Sequence, residues 1–366
     1  MVVQQARPTS AEELAATLAE ACADGLAVVP VGGERASGFG GWPARCDLRL
    51  HTAGLDRILE HAPHDLTCTV EAGVTLEALQ EQLAQAGQFL PLDPFASPGH
   101  TIGGLLATSW SGPLRLRYGT AREFLIGLRV ALPDGGLVRS GGKVVKNVSG
   151  YDLNKLHLGA LGTLGVIVEA SFKLYPRPLH ERTVAADFAT LDEALAASEG
   201  AMRLPMTPAA LELIAEEGRF RTVARISGSE SGVGRMAAEL GWPPAEAGFW
   251  QSHARRASER WARLSARPGA LRSLLSALPE PAGFVAHAGS GVVHWFGVDS
   301  AAALLQARAA AESAGGSCVV MAAPAELREA VDAWGRPPDT LPLMQRLRDA
   351  FDPARCLNPG RYLYGD

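Results

Sequence analysis

The chain has 366 residues, of which 47% are hydrophobic and 20% charged, so we expect a soluble globular protein with about two to three domains. Its net charge of −5 at neutral pH lacks the basic excess of a nucleic-acid-binding protein. The sequence contains no apolar run of about 18 residues and no basic leader followed by an apolar stretch, which predicts neither a membrane span nor a signal peptide. We expect a cytoplasmic protein, with any membrane association made through partners.

The five cysteines are widely separated, and no pair has Cys-x-x-Cys spacing. A zinc site or an iron–sulfur cluster needs closely spaced thiolates, so the sequence predicts neither. An odd number of scattered cysteines also favours a reducing compartment over a disulfide framework.

Strand and helix signals alternate along the first 175 residues. Ser10, followed by Glu12 and Glu13, predicts a helix start, because a hydroxyl caps free backbone N–H groups and acidic residues favour the first turn. Pro176-Arg177-Pro178 breaks the pattern and marks a predicted domain boundary. The other predicted elements are strands at 26–31, 66–71, 125–132 and 166–175, and a helix at 76–86 between Thr75 and Gly87.

From about residue 179 the sequence becomes rich in Ala and Arg, and the alternation of helices and strands predicts a second, βα layered domain. A final helix at 343–351 is expected to end at Asp352-Pro353. The predicted helices are 191–201, 230–241, 254–278 and 300–314, and the predicted strands are 183–188, 210–215, 220–227 and 283–298.

Small residues are concentrated in one block, which reads Pro98-Gly99-His100-Thr101-Ile102-Gly103-Gly104 and continues through Ala107, Ser109, Gly112, Tyr118 and Gly119. Small side chains let the backbone approach a ligand closely, and successive free N–H groups form a concave nest for phosphate oxygens. The block resembles the P-G-x-T-I-G-G-x-x-A-T motif of the FAD-binding family of the vanillyl-alcohol oxidase type. This resemblance implies a bound flavin dinucleotide and therefore electron transfer.

A second glycine-containing loop, Pro30-Val31-Gly32-Gly33-Glu34-Arg35-Ala36-Ser37, follows the predicted strand at 26–31. In the same family the matching loop contacts the FAD pyrophosphate through backbone N–H groups, although an ordinary glycine-rich turn also accounts for these residues. Glu34 departs from the family pattern, and its charge would repel a pyrophosphate unless it points away or Arg35 offsets it. The loop lacks the histidine that attaches flavin covalently in some relatives, so the resemblance implies non-covalent FAD.

Three later segments resemble the same family in the same order. Residues 146–156 are similar to the K-N-x-x-G-Y-D-L-x-x-L segment of flavin-dependent 2-hydroxyacid dehydrogenases, which packs by the flavin. Residues 159–167 are similar to G-S-E-G-T-L-G-I-I, although a tight strand-to-helix contact would also require glycine there. The segment 351–362 is similar to the family's F-D-P-x-x-x-x-N-P-G ending, which returns to the FAD domain in relatives.

The stretch from His287 to His294 is similar to the family motif H-A-G-D-G-N-x-H, but Ser290 replaces the acid and Val292 replaces the Asn. In catalytic relatives this motif works with a G-E-H-G segment at the substrate and metal site, whereas residues 315–323 here contain neither Glu nor His. Oxidation of a 2-hydroxy acid needs a base for the hydroxyl proton and a cation or metal for the carboxylate. The sequence therefore favours two ordinary strand histidines and predicts no catalytic residue and no metal in this chain.

Other nucleotide-binding motifs do not fit. No Gly-x-Gly-x-x-Gly follows a predicted strand, which argues against a dinucleotide site of the Rossmann type. Gly142-Lys143 is followed by Val144 rather than Ser or Thr, which excludes a P-loop.

The segments together are typical of small FAD-binding subunits of glycolate oxidase complexes, within the vanillyl-alcohol oxidase type family. The resemblance implies an α+β fold with a two-subdomain FAD-binding domain of PCMH type at 1–178, a βα cap domain at 179–335 and a C-terminal segment at 336–366 that packs back on the FAD domain. It implies as partners a larger catalytic FAD subunit and an iron–sulfur subunit, which together oxidise glycolate to glyoxylate. The residues that it implies for FAD binding are Pro30, Val31, Gly32, Gly33, Pro98, Gly99, Thr101, Ile102, Gly103, Gly104, Ala107, Ser109, Gly112, Tyr118, Gly119, Lys146, Gly150, Tyr151, Gly162, Gly165, Val166, Ile167 and Asn358.

Two alternatives stay open at this point. One is a self-sufficient FAD-dependent 2-hydroxyacid dehydrogenase with His287 or His294 as its base. Alternatively the chain keeps the fold as a flavin-free scaffold subunit, for which Glu34 is the best argument.

Overall fold

The computed structural model describes residues 3–143, 152–279 and 283–362. Strands and helices alternate along these ranges, with short 3-10 turns at Pro63–Asp65 and Pro268–Ala270. The strands are β1 (Gln4–Ala6), β2 (Val28–Val31), β3 (Leu48–His51), β4 (Ile58–Ala62), β5 (Thr67–Glu71), β6 (Gln88–Phe89), β7 (Leu125–Ala131), β8 (Leu137–Gly141), β9 (Val166–Lys173), β10 (Tyr175–Pro176), β11 (His180–Phe188), β12 (Ala210–Glu216), β13 (Arg219–Gly228), β14 (Trp261–Ser265), β15 (Gly283–His287), β16 (Val292–Phe296) and β17 (Cys318–Ala322). The helices are α1 (Ala11–Ala23), α2 (Leu76–Ala84), α3 (Ile102–Thr108), α4 (Arg115–Tyr118), α5 (Ala121–Phe124), α6 (Asn154–His157), α7 (Leu191–Met202), α8 (Glu230–Leu240), α9 (Phe249–Ala254), α10 (Leu271–Ser276), α11 (Ala301–Ser313), α12 (Ala325–Ala330) and α13 (Leu341–Phe351).

Two sheets of opposite type build the first half of the chain. A small parallel sheet has the order β1-β3-β2, and a five-stranded antiparallel sheet has the order β4-β5-β9-β7-β8. β9 lies at the centre of the larger sheet and is apolar and buried along nearly its whole length, as a strand covered on both faces must be. Leu14 and Leu18 of α1 pack in one core with Leu50 of β3 and Val168 of β9, so this helix joins the two sheets.

A seven-stranded antiparallel sheet with the order β11-β13-β12-β15-β16-β14-β17 forms the second half. The helices α7, α8, α10 and α11 cover one face of this sheet. The other face shares a continuous hydrophobic core with α2, α3 and the five-stranded sheet, through residues such as Ile214 and Val285. The two halves therefore meet over a large apolar surface, and one of the large cavities described below lies at that junction.

Most of the elements predicted from the sequence are confirmed. Ser10 caps α1 as expected, since its hydroxyl accepts a hydrogen bond from the backbone N–H of Glu13 at 3.1 Å. The predicted strand at 283–298 is instead a hairpin of β15 and β16, because Gly291, with φ of +67°, turns the chain between them.

The predicted helix at 254–278 is wrong. α9 ends at Ala254, and β14 then crosses the sheet between β16 and β17 before α10 begins at Leu271. The Ala- and Arg-rich composition suits a helix, but pairing with two neighbouring strands decides the conformation, and Trp261 and Leu264 become buried there.

The expectation that the cysteines form no disulfide is also wrong, because Cys22 and Cys356 are bonded across a sequence separation of 334 residues. Their spacing carries no signal for the pairing. The fold brings them together because the backbone N–H of Val28, just after α1, donates to the carbonyl of Cys356 at 2.8 Å. None of the helices in the described ranges combines the length and the apolar character that a membrane span requires.

Candidate functional site

Two glycine-containing loops meet at the end of β2. A Cβ atom added to Gly33 would lie 1.9 Å from the carbonyl oxygen of Gly99, and one added to Gly32 would lie 2.3 Å from Oγ1 of Thr101. Thr101 caps α3 through Gly104 and also accepts a hydrogen bond from the backbone N–H of Gly33 at 3.4 Å. Only glycine allows this close approach, so Thr101 and the two glycines fix one loop against the other.

The junction of these loops bounds a cavity of about 320 Å³, which we call the loop cavity. Its wall combines small residues of both loops with basic side chains and with residues of the C-terminal segment. It includes Pro30, Val31, Gly32, Gly33, Arg35, Arg49, Thr101, Gly104, Ala107, Leu161, Asn358 and Arg361. A smaller cavity of about 70 Å³ adjoins it and is lined by Gly103, Gly162, Gly165, Val166 and Ile167.

The C-terminal segment closes one side of the loop cavity. Nδ2 of Asn358 donates a hydrogen bond to the carbonyl oxygen of Leu161 at 2.6 Å, and the backbone N–H of Asn358 donates to the carbonyl of Val28. Oδ1 of Asn358 and Nε of Arg361 are buried without a hydrogen-bond partner in the described residues. Buried polar atoms are normally paired, so these two mark a wall that is built to meet a polar ligand.

The electrostatics of the loop cavity favour an anion. Glu34 turns its carboxylate to Arg49, with Nη2 and Oε2 2.7 Å apart, so its charge is offset by Arg49 rather than by Arg35 as the sequence suggested. Burial lowers the pKa of Arg361 to about 10, which leaves its guanidinium charged at neutral pH. Arg35 and Arg361 thus leave positive charge on the wall beside the neutralised Glu34.

A second large cavity of about 350 Å³, which we call the junction cavity, lies between the α3–α4 segment and the seven-stranded sheet. Thr108 lines both it and the loop cavity, so the two are neighbours along α3. Its wall includes Phe39, Ser109, Ser111, Arg115, Gly159, Arg263, Ser265, Val292, Trp334 and Tyr362.

Not every residue predicted for FAD binding lines one of these three cavities. Gly112 packs on Asp93, since an added Cβ atom would lie 1.8 Å from its carbonyl oxygen, and Tyr118 contacts the rings of Phe89 and Tyr175. Pro98, Gly99, Ile102 and Gly119 also do not line these three cavities. Lys146, Gly150 and Tyr151 lie outside the described residues. Contact of these residues with FAD stays a prediction.

The two histidines of the motif at 287–294 belong to a buried polar cluster that sequence reasoning missed. Glu212 of β12, fully buried, accepts hydrogen bonds from Nδ1 of His287 at 2.7 Å and from Nε2 of His253 at 3.1 Å. Burial alone would raise the pKa of Glu212, but the hydrogen bonds and charges of the two histidines together hold it below its usual value. Glu212 and His253 carried no sequence signal, because they are far apart in the chain and meet only where α9 contacts β12.

A hydrogen bond also fixes the tautomer of His294. Trp261 Nε1 can only donate, and it donates to Nδ1 of His294 at 3.2 Å, so the proton of a neutral His294 is on Nε2. Burial, followed by the nearby His287, Arg263, His253 and Arg115, holds the pKa of His294 well below its usual range and keeps the ring neutral. Nδ1 of His287 is hydrogen-bonded to Glu212, and Nε2 of His287 has no hydrogen-bond partner in the described residues.

FAD fits the loop cavity and its neighbours. The glycine cradle would be blocked by a Cβ atom, the wall is basic, and the unpartnered atoms of Asn358 and Arg361 are available to a polar ligand. The adjoining junction cavity extends this space along α3, as an elongated dinucleotide requires.

Comparison with known proteins agrees with this assignment. Residues 4–141 match the FAD binding domain model, and residues 332–362 match the model of the C-terminal domain of FAD linked oxidases. The chain is 30% identical over 323 residues to glycolate oxidase subunit GlcE of Escherichia coli, and the match covers 86% of each protein. It is also 33% identical over 207 residues to glycolate oxidase subunit GlcD of Bacillus subtilis and 36% identical over 228 residues to D-2-hydroxyglutarate dehydrogenase of Xanthomonas citri. These two matches cover 57% and 60% of this chain. They cover 44% and 48% of the two relatives, so the chain spans less than half the length of either one.

Among solved structures, two crystal forms of alkyldihydroxyacetonephosphate synthase share the fold at 16% identity. Their TM-scores are 0.69 and 0.71, and the matches cover 98% and 97% of this chain and 77% and 76% of the synthase. The predicted α+β FAD-binding fold with its second, cap-like sheet is thereby confirmed. The chain belongs to the family of FAD-linked oxidoreductases that includes the glycolate oxidase subunits.

Proposed function

We propose that the chain is a FAD-binding subunit of a multi-subunit glycolate oxidase, in which a larger catalytic FAD subunit and an iron–sulfur subunit complete the oxidation of glycolate to glyoxylate. Similarity to glycolate oxidase subunit GlcE over 86% of both chains supports this role. Bound FAD would supply the two-electron redox chemistry, and the protein would set its position and potential. The domain limits proposed with this role are 1–178, 179–335 and 336–366.

The residues that would hold FAD lie on the walls of the loop cavity and the smaller cavity. Gly32, Gly33 and Gly104 present backbone without side chains, Thr101 keeps the two loops together, and Asn358 presents its unpartnered oxygen. We propose that the basic wall holds the diphosphate, while Gly162, Gly165, Val166 and Ile167 contact the dinucleotide in the smaller cavity.

One observation carries the proposal that a partner supplies catalysis. The space beside His294 is a cavity of about 10 Å³, which is about the volume of a single water position and too small for a 2-hydroxy acid. His287 is engaged by Glu212, and the motif that holds both histidines lacks the acid and the Asn of the catalytic pattern. These observations support a chain that would hold FAD while the space beside His294 stays too small for the substrate.

The test is an anaerobic absorption spectrum of the purified chain loaded with FAD, recorded before and after glycolate is added. We expect a flavin spectrum that does not bleach with the chain alone and that bleaches after the catalytic and iron–sulfur subunits are added. A colourless protein that takes up no FAD would favour a flavin-free scaffold and overturn the proposal.

A second candidate, a self-sufficient 2-hydroxyacid dehydrogenase, is favoured by the unpartnered Nε2 of His287. A carboxylate that orients a histidine through Nδ1 is a common arrangement for a general base. Under this alternative the FAD-loaded chain alone bleaches with glycolate, and His287→Gln abolishes bleaching. His294→Gln is the matched control, because Nδ1 of His294 is occupied and its Nε2 carries the proton, so it cannot act as the base.

A further inference from the structure

The disulfide between Cys22 and Cys356 lies at the start of a segment that closes the loop cavity. Cys22 is in the last turn of α1, and Cys356 begins residues 356–361, which we call the closing segment. Asn358 and Arg361 of the closing segment both line the loop cavity. The bond therefore ties the wall of this cavity to the helix that joins the two sheets of the first half.

Backbone hydrogen bonds dock the first part of the closing segment beside β2. The N–H of Val28 donates to the carbonyl of Cys356 at 2.8 Å, and the N–H of Asn358 donates to the carbonyl of Val28 at 2.9 Å. The carboxylate of Asp352, which is fully buried, accepts from the backbone N–H groups of Cys356 and Leu357 at 3.0 and 2.8 Å. The segment thus extends the edge of the parallel sheet by one short bridge.

The far end of the closing segment contacts loops that surround the cavity. Nη2 of Arg361 donates to the carbonyl oxygen of Ala36 at 2.8 Å, and the backbone N–H of Ala44 donates to the carbonyl of Pro359 at 2.7 Å. A single hydrogen bond of this kind contributes little net free energy, because water replaces it when it opens. The covalent bond at the start of the segment keeps it close to the cavity while such hydrogen bonds open and re-form.

The two bonded cysteines differ in exposure. Cys22 is half-buried and is followed by exposed residues at 23–25, whereas only 4% of Cys356 is exposed. A reductant therefore approaches the bond from the side of α1. The other cysteines, Cys46, Cys68 and Cys318, are free thiols that offer a reductant no bond to break. Reduction thus acts at the closing segment alone.

We propose that the bond between Cys22 and Cys356 is a redox latch that controls how firmly the chain holds FAD. The oxidised latch keeps the closing segment against the loop cavity, and the reduced latch lets the segment open so that FAD exchanges. This inference rests on the proposed function, because FAD is the ligand that the loop cavity would hold. Segments that cover a ligand open more easily than the core of a protein, so a covalent tie placed there acts on ligand exchange.

The chemistry of the latch is thiol–disulfide exchange with a dithiol reductant. A thiolate of the reductant attacks Sγ of Cys22, the bond between the two protein sulfurs breaks, and Cys356 leaves as a thiolate that takes up a proton. The second thiol of the reductant then attacks its own sulfur in the mixed disulfide and releases Cys22, which is protonated in turn. The protein gains two electrons and two protons, and the dithiol becomes a disulfide.

Linkage makes the latch reciprocal. Reduction and FAD binding share one thermodynamic cycle, so the factor by which reduction raises the Kd for FAD equals the factor by which bound FAD lowers the equilibrium constant for reduction. FAD therefore protects the bond that retains it. A disulfide that stabilises only the fold produces neither effect.

The test follows FAD release from the loaded chain in buffers of reduced and oxidised dithiothreitol. Flavin fluorescence after dilution measures release, thiol labelling measures the reduced fraction of Cys22 and Cys356, and the visible spectrum confirms that the flavin stays oxidised. We expect reduction to raise the rate constant for FAD release and the Kd for FAD at least tenfold, and bound FAD to lower the equilibrium constant for reduction by the same factor as the Kd changes. Cys22→Ser/Cys356→Ser should release FAD at the fast rate with or without the reductant.

Leu274→Ala is the matched control for a general loss of stability. It removes a buried side chain from a core of the second half that does not include the closing segment, so it should lower the Tm and leave FAD release and its response to the reductant unchanged. If reduction of the native chain lowers the Tm but leaves the release of FAD unchanged, the bond is structural and the inference is overturned. The native chain decides this result even if Cys22→Ser/Cys356→Ser does not fold.

Failure of the latch and failure of the proposed function give different results. A chain that takes up no FAD in either redox state overturns the proposed function and this inference with it. A chain that binds FAD equally tightly in both states, and that assembles with its partner subunits, overturns this inference alone.

Discussion

Arg49 and Glu34 form an ion pair across the rim of the loop cavity, with Nη2 and Oε2 2.7 Å apart. Glu34 is the one acidic residue in a loop proposed to meet a diphosphate, and the pair draws its charge to β3 instead of into the cavity. Glu34 departs from the family pattern, and Arg49, 15 positions further along the chain and outside the motif, compensates for its charge.

Arg49→Ala should weaken FAD binding because it releases the charge of Glu34 beside the diphosphate. The pair is partly exposed, so the effect is modest, at about 0.5–1 kcal/mol or a two- to fivefold rise in Kd for FAD. Flavin fluorescence titration measures it. The double variant Arg49→Ala/Glu34→Ala should recover most of the affinity, and no recovery would mean that Arg49 contacts FAD itself.

Gly33→Ala should separate the two loops, since its Cβ atom would lie 1.9 Å from a backbone carbonyl that cannot move aside cheaply. We expect a loss of about 1–3 kcal/mol in the free energy of unfolding and at least a tenfold weaker binding of FAD. Urea denaturation and FAD titration measure the two effects. Gly200→Ala within α7 is the matched control, because its Cβ atom meets open space and it should stabilise the chain by up to about 1 kcal/mol.

Reduction of the bond between Cys22 and Cys356 should lower the stability of the chain by about 2–4 kcal/mol, because it releases a long loop in the unfolded state. The measurement is the Tm with and without dithiothreitol. In the double variant Cys22→Ser/Cys356→Ser the reductant should have no effect. An equal fall in the Tm of both proteins would mean that the reductant acts at another site.

Acidification should destabilise the chain through His157. Burial lowers the pKa of His157 to about 4, whereas an unfolded histidine titrates near 6.5. Between these values the unfolded chain binds a proton that the folded chain does not, so stability falls as the pH falls from about 6.5 towards 4. The loss reaches about 3 kcal/mol at pH 4.

His157→Gln removes this titrating group from both the folded and the unfolded state. Urea denaturation should therefore show a smaller difference in the free energy of unfolding between pH 7 and pH 4.5 than in the native chain. His180→Gln, at an exposed histidine of β11, should leave the pH dependence unchanged. An equal pH dependence in His157→Gln and the native chain would contradict the assignment.

Sequence reasoning predicted the parts of the site that depend on local backbone chemistry. The glycine-rich motifs mark Gly32, Gly33 and Thr101 in the sequence, and the structure brings these three residues into contact. The partners of Glu34 and Glu212 could not be predicted, since each pair joins segments that come together only in the folded chain. Arg115 lies inside the block of small residues at 98–119, but no motif marks it, because only the folded structure places it on the same cavity wall as Arg263.

The large separation in sequence between contacting segments also affects how the protein folds during its synthesis. The loop cavity takes its first wall from residues 30–35 and its last from Asn358 and Arg361, and Leu357 bridges to Val28. On the ribosome, the first wall is synthesised early and lacks the C-terminal wall until all the intervening residues have been added. The cavity wall and the disulfide can therefore be completed only after nearly the whole chain has been synthesised, so full enclosure of FAD is a late step of folding.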